Sequence, residues 1–345
     1  MLNTREWKEF FLTDIFLQIQ RGKRLTKSKQ INGTIPYVSS TSFNNGVDNF
    51  ISNKKNVRKF SDCLSIANSG SVGSSFYQPF EFIASDHITH LKNDKMNKYI
   101  YLFIATMTNR FSEKYNFNRE INDNRISRET IMLPIDKNNK PDWQFMEDYM
   151  IELEESKRAD YLTFVENKLK NLKFKEIENL EIKEWKEFSI SELFTVKIGT
   201  SIDGNKIDKN SGETPYITRK ETNNGLDGFI EDEEIKMTKN YPVITIGNET
   251  AQPFVQQYPF YTGTKVNVLK PIKDLSENIL FFISTCLRQQ KSKYSYSFTI
   301  NSTRLKKQTI LLPINHKDEP DYEYMEQYIK NLMFKKYNQY LNYNK

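Results

Sequence analysis

Apolar positions recur in two passes along the chain. Trp7, Phe10, Phe11, Ile15 and Phe16 open the first; Trp185, Phe188, Ile190, Leu193 and Phe194 open the second. A polar loop of Gly, Ser, Lys and Asn follows each opening. Short β-type runs come next, at 35–38, 63–67, 80–83 and 87–91 in the first pass and at 215–217, 243–246, 260–261 and 266–269 in the second. The dipeptides Asn45-Gly46 and Asn224-Gly225 are turn signals between them. The pattern then predicts an apolar helix over about 97–111, matched at about 276–289, and a strand over 130–135 that closes the body. Each pass therefore reads as α+β with a strand-rich body.

The last element of each pass has another character. Asp142 follows Pro141 and opens a run without Gly or Pro as far as Leu180. Trp143, Met146, Met150, Leu153, Leu162, Val165, Leu169 and Leu172 fall near 3.5-residue spacing, and Asp142 suits an N-cap. A helix from 142 to about 174 would be about 50 Å long, at about 1.5 Å per residue. The second copy starts at Asp321 after Pro320, with Tyr322, Tyr324, Met325, Tyr328, Ile329, Leu332, Met333 and Tyr337. Two separate core helices would satisfy the pattern. A helix of about nine turns, however, cannot bury its stripe inside a body of about 140 residues, and pairing the two helices as an antiparallel coiled coil solves that. The expected organisation is a first domain at 1–141, a long helix and linker at 142–180, a second domain at 181–320, and a shorter helix at 321–345.

The two passes are one unit written twice. Glu6-Trp7-Lys8-Glu9-Phe10 returns at 184–188, Pro36-Tyr37 as Pro215-Tyr216, Asn44-Asn45-Gly46 as Asn223-Asn224-Gly225, and Arg125 as Arg304. Between 130–150 and 309–329, 10 of 21 positions are identical without a gap. The offset is 178 at the start and 179 for most of the rest, so register survives the whole unit. A period this long is a domain duplication rather than a solenoid. An approximate internal two-fold suits a rod with two strands and two half-sites.

Composition narrows the class. With 24 Phe and 19 Tyr in 345 residues the chain can build cores. No run approaches 18 apolar residues, so no membrane span is expected, and the first five residues lack the apolar segment of a signal peptide. Cys63 and Cys286 fall at non-matching points of the repeat, which suits the reducing cytoplasm and excludes a disulfide framework. The net charge of +6 is unevenly placed. Arg21, Lys23, Arg24, Lys27 and Lys29 occur with no acid between Asp14 and Asp48. Residues 1–141 hold 21 basic and 13 acidic side chains, residues 142–178 hold 6 and 10. This is either a soluble protein with a basic face or a phosphate-facing surface beside an acidic spacer.

The lead-in Trp7-Lys8-Glu9-Phe10, the segment Gly22-Lys23-Arg24-Leu25, the stretch Asn68-Ser69-Gly70-Ser71-Val72-Gly73 and the boundary 141–149, in this order and doubled, resemble the specificity subunit of a bacterial restriction–modification system. The short second helix is more similar to the small subunits of BcgI-like systems than to the longer type I subunits. The second half departs from the pattern, since Gly22-Lys23-Arg24 has no clear counterpart near Gly199 and Asn68-Ser69-Gly70 becomes Asn248-Glu249-Thr250. The resemblance implies two tandem target-recognition domains, each entering the major groove of double-stranded DNA, held apart by the paired helices so that the target is bipartite. It also implies methyltransferase and endonuclease partners, as separate subunits or one fused polypeptide, and a subunit without catalysis or cofactor.

Several polar residues are candidate DNA contacts. Lys23, Arg24, Lys27 and Lys29 form either a solvated basic loop or a set of phosphate contacts. Ser40, Thr41, Asn44 and Asn45, and likewise Arg219, Lys220, Thr222, Asn223 and Asn224, flank turns that serve as hairpin turns or touch bases. Lys206 and Asn248 are added in the second half. Asn68, Ser69 and Ser71 leave a strand beside Gly70 and Gly73, where glycine permits close approach of a ligand. Segments 114–125 and 293–304 interleave aromatics, amides and cations. Their shared Lys114/Lys293, Tyr115/Tyr294 and Arg125/Arg304 suit phosphate clamping or a structural salt bridge, and unmatched Arg119 suits sequence reading in the first half.

Catalytic readings are weaker. His87 and His90 lie three apart in an expected strand and face opposite sides, so no metal site is expected. Gly199 and Gly204 have the spacing of a phosphate loop, but Asn205-Lys206 replaces the required Lys-Ser/Thr. The rival reading, a self-contained metal-dependent endonuclease, would rest on Asp142 and Glu181 at opposite ends of the long helix. A scaffold that joins two partners without touching DNA is a second rival.

Overall fold

The computed structural model describes residues 2–116, 118–231, 237–239, 241–294 and 298–343. The chain forms two compact units, Met1–Tyr161 and Leu162–Lys345.

In the first unit the opening segment Trp7–Phe11 is a strand, paired antiparallel with Thr130–Pro134, so the two ends of the body are tied together. A four-stranded antiparallel sheet has the order Gln18–Arg21, Ile88–Lys92, Cys63–Ala67, Ser75–Gln78. A second four-stranded sheet runs Val47–Ile51, Asn32–Val38, Phe82–Ala84, Lys59–Phe60, with one parallel pair in the middle. The helix Lys98–Asn109 starts at Asn97, whose side chain accepts from Tyr99 and Ile100 N–H. Its apolar face, with Ile100, Tyr101, Phe103 and Ile104 buried, packs with Leu64, Ile66 and Leu91 of the first sheet.

The second unit repeats this plan. Trp185–Ser189 pairs with Thr309–Pro313. The four-stranded sheet is Phe194–Ile198, Val266–Pro271, Val243–Gly247, Pro253–Gln256. The other sheet is Leu226–Ile230, Thr214–Ile217, Tyr261–Thr262, again with one parallel pair. The helix Glu277–Arg288 is capped by Ser276, and its buried Leu280 and Ile283 pack with Ile244, Ile246 and Leu269 of the sheet.

The long helices are Trp143–Asn171 and Tyr322–Tyr343. Each starts at the aspartate after the proline: Asp142 accepts from Phe145 N–H at 3.1 Å and Asp321 from Tyr324 N–H at 3.0 Å. Each aspartate also pairs with a cation of the opening segment, Arg5 at 3.1 Å and Lys183 at 2.9 Å. An aromatic trio seats the second turn of each: Trp7 stacks on Phe103, which meets Tyr149 edge-on, and Trp185, Phe282 and Tyr328 do the same. Within the second unit, residues 164–178 run antiparallel to the last helix. Phe164 meets Tyr337, Phe174 meets Phe334, and the Tyr324 hydroxyl donates to Glu178 O. The first long helix stops at Asn171, short of the expected 174, although no Gly or Pro intervenes. Asn331 explains this: its amide accepts from Lys175 N–H and donates to Lys175 O, holding that residue out of the helix. The expected stripe is fully buried at Met146 and Val165, whereas residues 152–160, rich in Glu, Lys and Arg, are exposed.

Candidate nucleic-acid interface

Backbone hydrogen bonds gather the candidate segments of the first unit at one place. Ser71 N–H donates to Ser40 O, Asn68 N–H to His87 O, Ser85 N–H to Val38 O, and Ile121 N–H to Asn68 O. The basic loop leaves from the same point, since Gly22 N–H donates to Ile88 O and Lys23 N–H to Ala84 O. The second unit builds the same joint: Asn248 N–H donates to Lys265 O, Gly263 N–H to Ile217 O, Ile300 N–H to Asn248 O, and Gly199 N–H to Val266 O. Four loops and a strand exit, far apart in sequence, thus share one cluster in each unit.

The backbone agrees and the side chains do not. In the first unit the joint carries Ser40, with the Ser69 hydroxyl hydrogen-bonded to His87 Nδ1. In the second, Arg219 stands where Ser40 does, and the Glu249 carboxylate lies between Arg219 and Lys265 Nζ, the latter at 3.3 Å. Asp227 is gripped by Lys209 at 2.7 Å and by Lys220. Burial raises the Asp227 pKa, but the two ammonium groups outweigh it and hold the carboxyl below its ordinary 3.8. These groups line an open cleft of about 690 Å³. Ser40 and Thr41 are half-buried, Asn44, Arg119, Lys206, Lys220 and Asn223 are exposed, and so are Lys23, Arg24, Lys27 and Lys29. Lys23 donates to Asn56 at 3.4 Å, and the Arg119 guanidinium sits 5.3 Å from the centroid of the Tyr115 ring.

Other candidates carry hydrogen bonds within the fold. Asn45 and Asn224 lie at φ 57° and 55°. Asn45 donates to Tyr77 O and Gln78 Oε1, and Gln78 returns a bond to Asn45 O at 2.8 Å and one to Ser65 Oγ at 3.0 Å. Asn224, Gln256 and Thr245 form the same lock. These two asparagines pin the turn, and they and their neighbours Asn44 and Asn223 are all exposed. Asn68 is fully buried and accepts from Thr89 Oγ1, and buried Asn248 pairs with Asn267 at 2.7 Å. Ser69 is 4% exposed, so of its pair with His87 only the imidazole faces out. Gly70 and Gly73 are required by the joint itself, at φ 63° and 86°, where a Cβ would strike Ser40 and Ser112.

Tyr115 is also buried, and its hydroxyl donates to Glu129, which Lys114 Nζ meets at 2.9 Å. Burial and the adjacent carboxylate push the Tyr115 hydroxyl up to about 12. Lys114 and Tyr115 thus both meet Glu129, as a salt bridge and a hydrogen bond. In the second unit Tyr294 donates instead to Gln308 at 2.9 Å, and Lys293 has no ion pair among the described residues. Arg125 and Arg304 each donate Nη1 to a carbonyl five residues upstream, Glu120 O and Thr299 O, which fixes the loop. Phe117 and Ser295-Tyr296-Ser297 of the interleaved segments lie outside the described residues.

The pairing of His87 with Ser69, and Lys209, Asp227, Glu249 and Lys265 as cleft residues, were not among the sequence-based candidates. The exchange of Ser69 for Glu249 within the repeat was the available signal. Among the described residues, no group of three or more His, Cys, Asp or Glu could hold a metal ion, and no helix is long and apolar enough to cross a membrane.

The family model of the type I restriction modification DNA specificity domain matches residues 4–163 and again 182–341. The chain is similar to the specificity subunit S.BcgI of the type II restriction enzyme BgcI from Heyndrickxia coagulans, 52% identical over 147 residues. That stretch is 42% of this chain, which spans less than half, 43%, of that curated relative's length. Among solved structures, the type I restriction-modification S subunit from M. genitalium is similar at a TM-score of 0.47 and 14% identity, over 99% of this chain and 92% of that one. The HsdS subunit from Thermoanaerobacter tengcongensis is similar at 0.33 and 14%, over 97% and 90%. With one family model matching both halves, the chain belongs to the family of type I restriction modification DNA specificity domains, which it carries in tandem.

Proposed function

We propose that this chain is the non-catalytic recognition subunit of a restriction–modification complex, and that it reads a bipartite target in double-stranded DNA. One observation carries the proposal: the same loop joint is built twice on the same backbone with different side chains, Ser40, Ser69 and His87 against Arg219, Glu249 and Lys265. Two readers of different base pairs need a constant scaffold and variable tips, because each base pair presents its own donors and acceptors in the major groove. The exposed lysines and arginine of residues 23–29 suit phosphate contacts, which set register and supply salt-dependent affinity. On this reading residues 1–141 and 181–320 are the two target-recognition domains, and 142–180 and 321–345 are spacer elements.

A methyltransferase and an endonuclease, fused or separate, would supply the chemistry. A repeated apolar patch supports docking of such a polypeptide. Trp185, Leu311 and Leu332 stand exposed around a cavity of about 410 Å³ lined also by Leu180, Phe282 and Tyr328. The first unit carries Trp7, Met132 and Leu153 at the matching positions of the repeat, the last two exposed. The endonuclease rival is less well supported, because both oxygens of Asp142 are engaged, one by the helix N-terminus and one by Arg5.

Methylation mapping with the partner methyltransferase tests the reading; a contiguous, ungapped target contradicts it. Replacing residues 1–141 with those of a relative should change one half of the target only. A change in both halves, or in neither, ends the modular reading.

A further inference from the structure

We propose that Arg219 reads a guanine in the half of the target assigned to the second unit, and that Glu249 is its positioning residue. This rests on the function proposed above and adds the base and the residue. Arg219 contacts Glu249 through Nη1, and its side chain is 37% exposed at the edge of the cleft, while that of Glu249 is 18% exposed. Lys265 holds the second carboxylate oxygen at 3.3 Å. Arginine presents a planar fork that matches O6 and N7 of guanine. Fixing one arm of that fork in advance lowers the entropy lost when the other arm binds.

Two simpler explanations fit less well. A stabilising ion pair explains less, because pairs as exposed as this one contribute little to folding. A phosphate clamp has no use for a carboxylate set between two cations, since Glu249 repels the phosphate that Arg219 and Lys265 would attract. The arrangement suits a base edge, where direction matters more than net charge.

The test selects randomised duplexes on the full-length chain in complex with its partner, for the wild type, Arg219→Ala, Arg219→Lys and Glu249→Gln, and sequences the bound pools. The wild type should enrich guanine at one position of one half of a gapped consensus. Arg219→Ala and Arg219→Lys should both lose that preference, with roughly 5- to 150-fold weaker discrimination at that position and the rest of the consensus intact. Arg219→Lys keeps the charge, so it remains informative should the alanine variant misfold. Glu249→Gln should weaken the same discrimination while binding to unrelated duplex tightens, a pairing that a merely structural role would not produce. Uniformly weaker binding with every base preference retained would make Arg219 a phosphate contact and overturn the proposal. A wild-type pool with a gapped consensus but no guanine altered by these variants overturns it too, leaving the broader reading standing. A wild-type pool with no gapped consensus overturns both.

Discussion

Replacing Gln78 with alanine should loosen one reader without touching any residue proposed to meet DNA. Gln78 is fully buried, and its amide joins three elements. It donates to Asn45 O at 2.8 Å and to Ser65 Oγ at 3.0 Å, and it accepts from Asn45 Nδ2 at 3.3 Å. Each neutral bond contributes about 1 kcal/mol net. Ser65 keeps a partner, Phe76 O, but Asn45 O loses its side-chain donor. The three lost bonds together give a loss of about 3 kcal/mol for the first unit. The turn at 44–46, held at positive φ, should be the first part to open. Hydrogen exchange followed peptide by peptide is the suitable assay, because a chain of two units need not unfold in one step. Protection should fall around residues 39–46 and 75–78, and base preference should relax in one half of the target only. Gln256→Ala, which breaks the equivalent bonds to Asn224 and Thr245, should do the same to the other half. A loss below about 1 kcal/mol, or protection lost equally across Trp7–Phe11 and Thr130–Pro134, would show that the lock does not hold the turn.

Changing Lys23, Arg24 and Lys27 together to alanine should flatten the dependence of log affinity on log salt by about 2.7, at about 0.9 per phosphate contact, with base preferences kept; a salt titration of binding measures this, and an unchanged slope removes the basic loop from the interface. His90 is buried against Phe60, and its ring bonds Gln20 O at 2.9 Å; burial lowers its pKa below the ordinary 6.5. A folded pKa below the unfolded one means that the unfolded chain binds the extra proton. The contribution is therefore complete above pH 6.5 and is lost as pH falls below it. Denaturation of the first unit between pH 8 and pH 5 should show this fall, and His90→Asn should lack that part of the slope. Leu311→Asp, placing a charge in the apolar patch around the 410 Å³ cavity, should abolish co-purification with the partner polypeptide while leaving DNA binding by the chain unchanged; retained assembly would move the docking surface elsewhere.

Local rules already determined much of this protein. The apolar runs, the Pro-Asp helix starts and the 3.5-residue spacing are relations between near neighbours, so the helices Lys98–Asn109, Glu277–Arg288 and Trp143–Asn171 were legible to within a few residues. Repetition itself was visible because identity at a constant offset requires no folding. What only the tertiary structure decided depends on partners distant in the chain. Trp7–Phe11 is a strand because residues 130–134 lie beside it, and Lys175 leaves the helix because Asn331 takes its backbone bonds. The same holds for the candidate contacts. Asn45 and Tyr115 look like free amide and aromatic tips in sequence, but Gln78 and Glu129, 33 and 14 residues away, occupy them. Glu249 became a candidate only when folding set it between Arg219, 30 residues before it, and Lys265, 16 after. A side chain's availability is set by who else reaches the same place, and chain order carries no record of that.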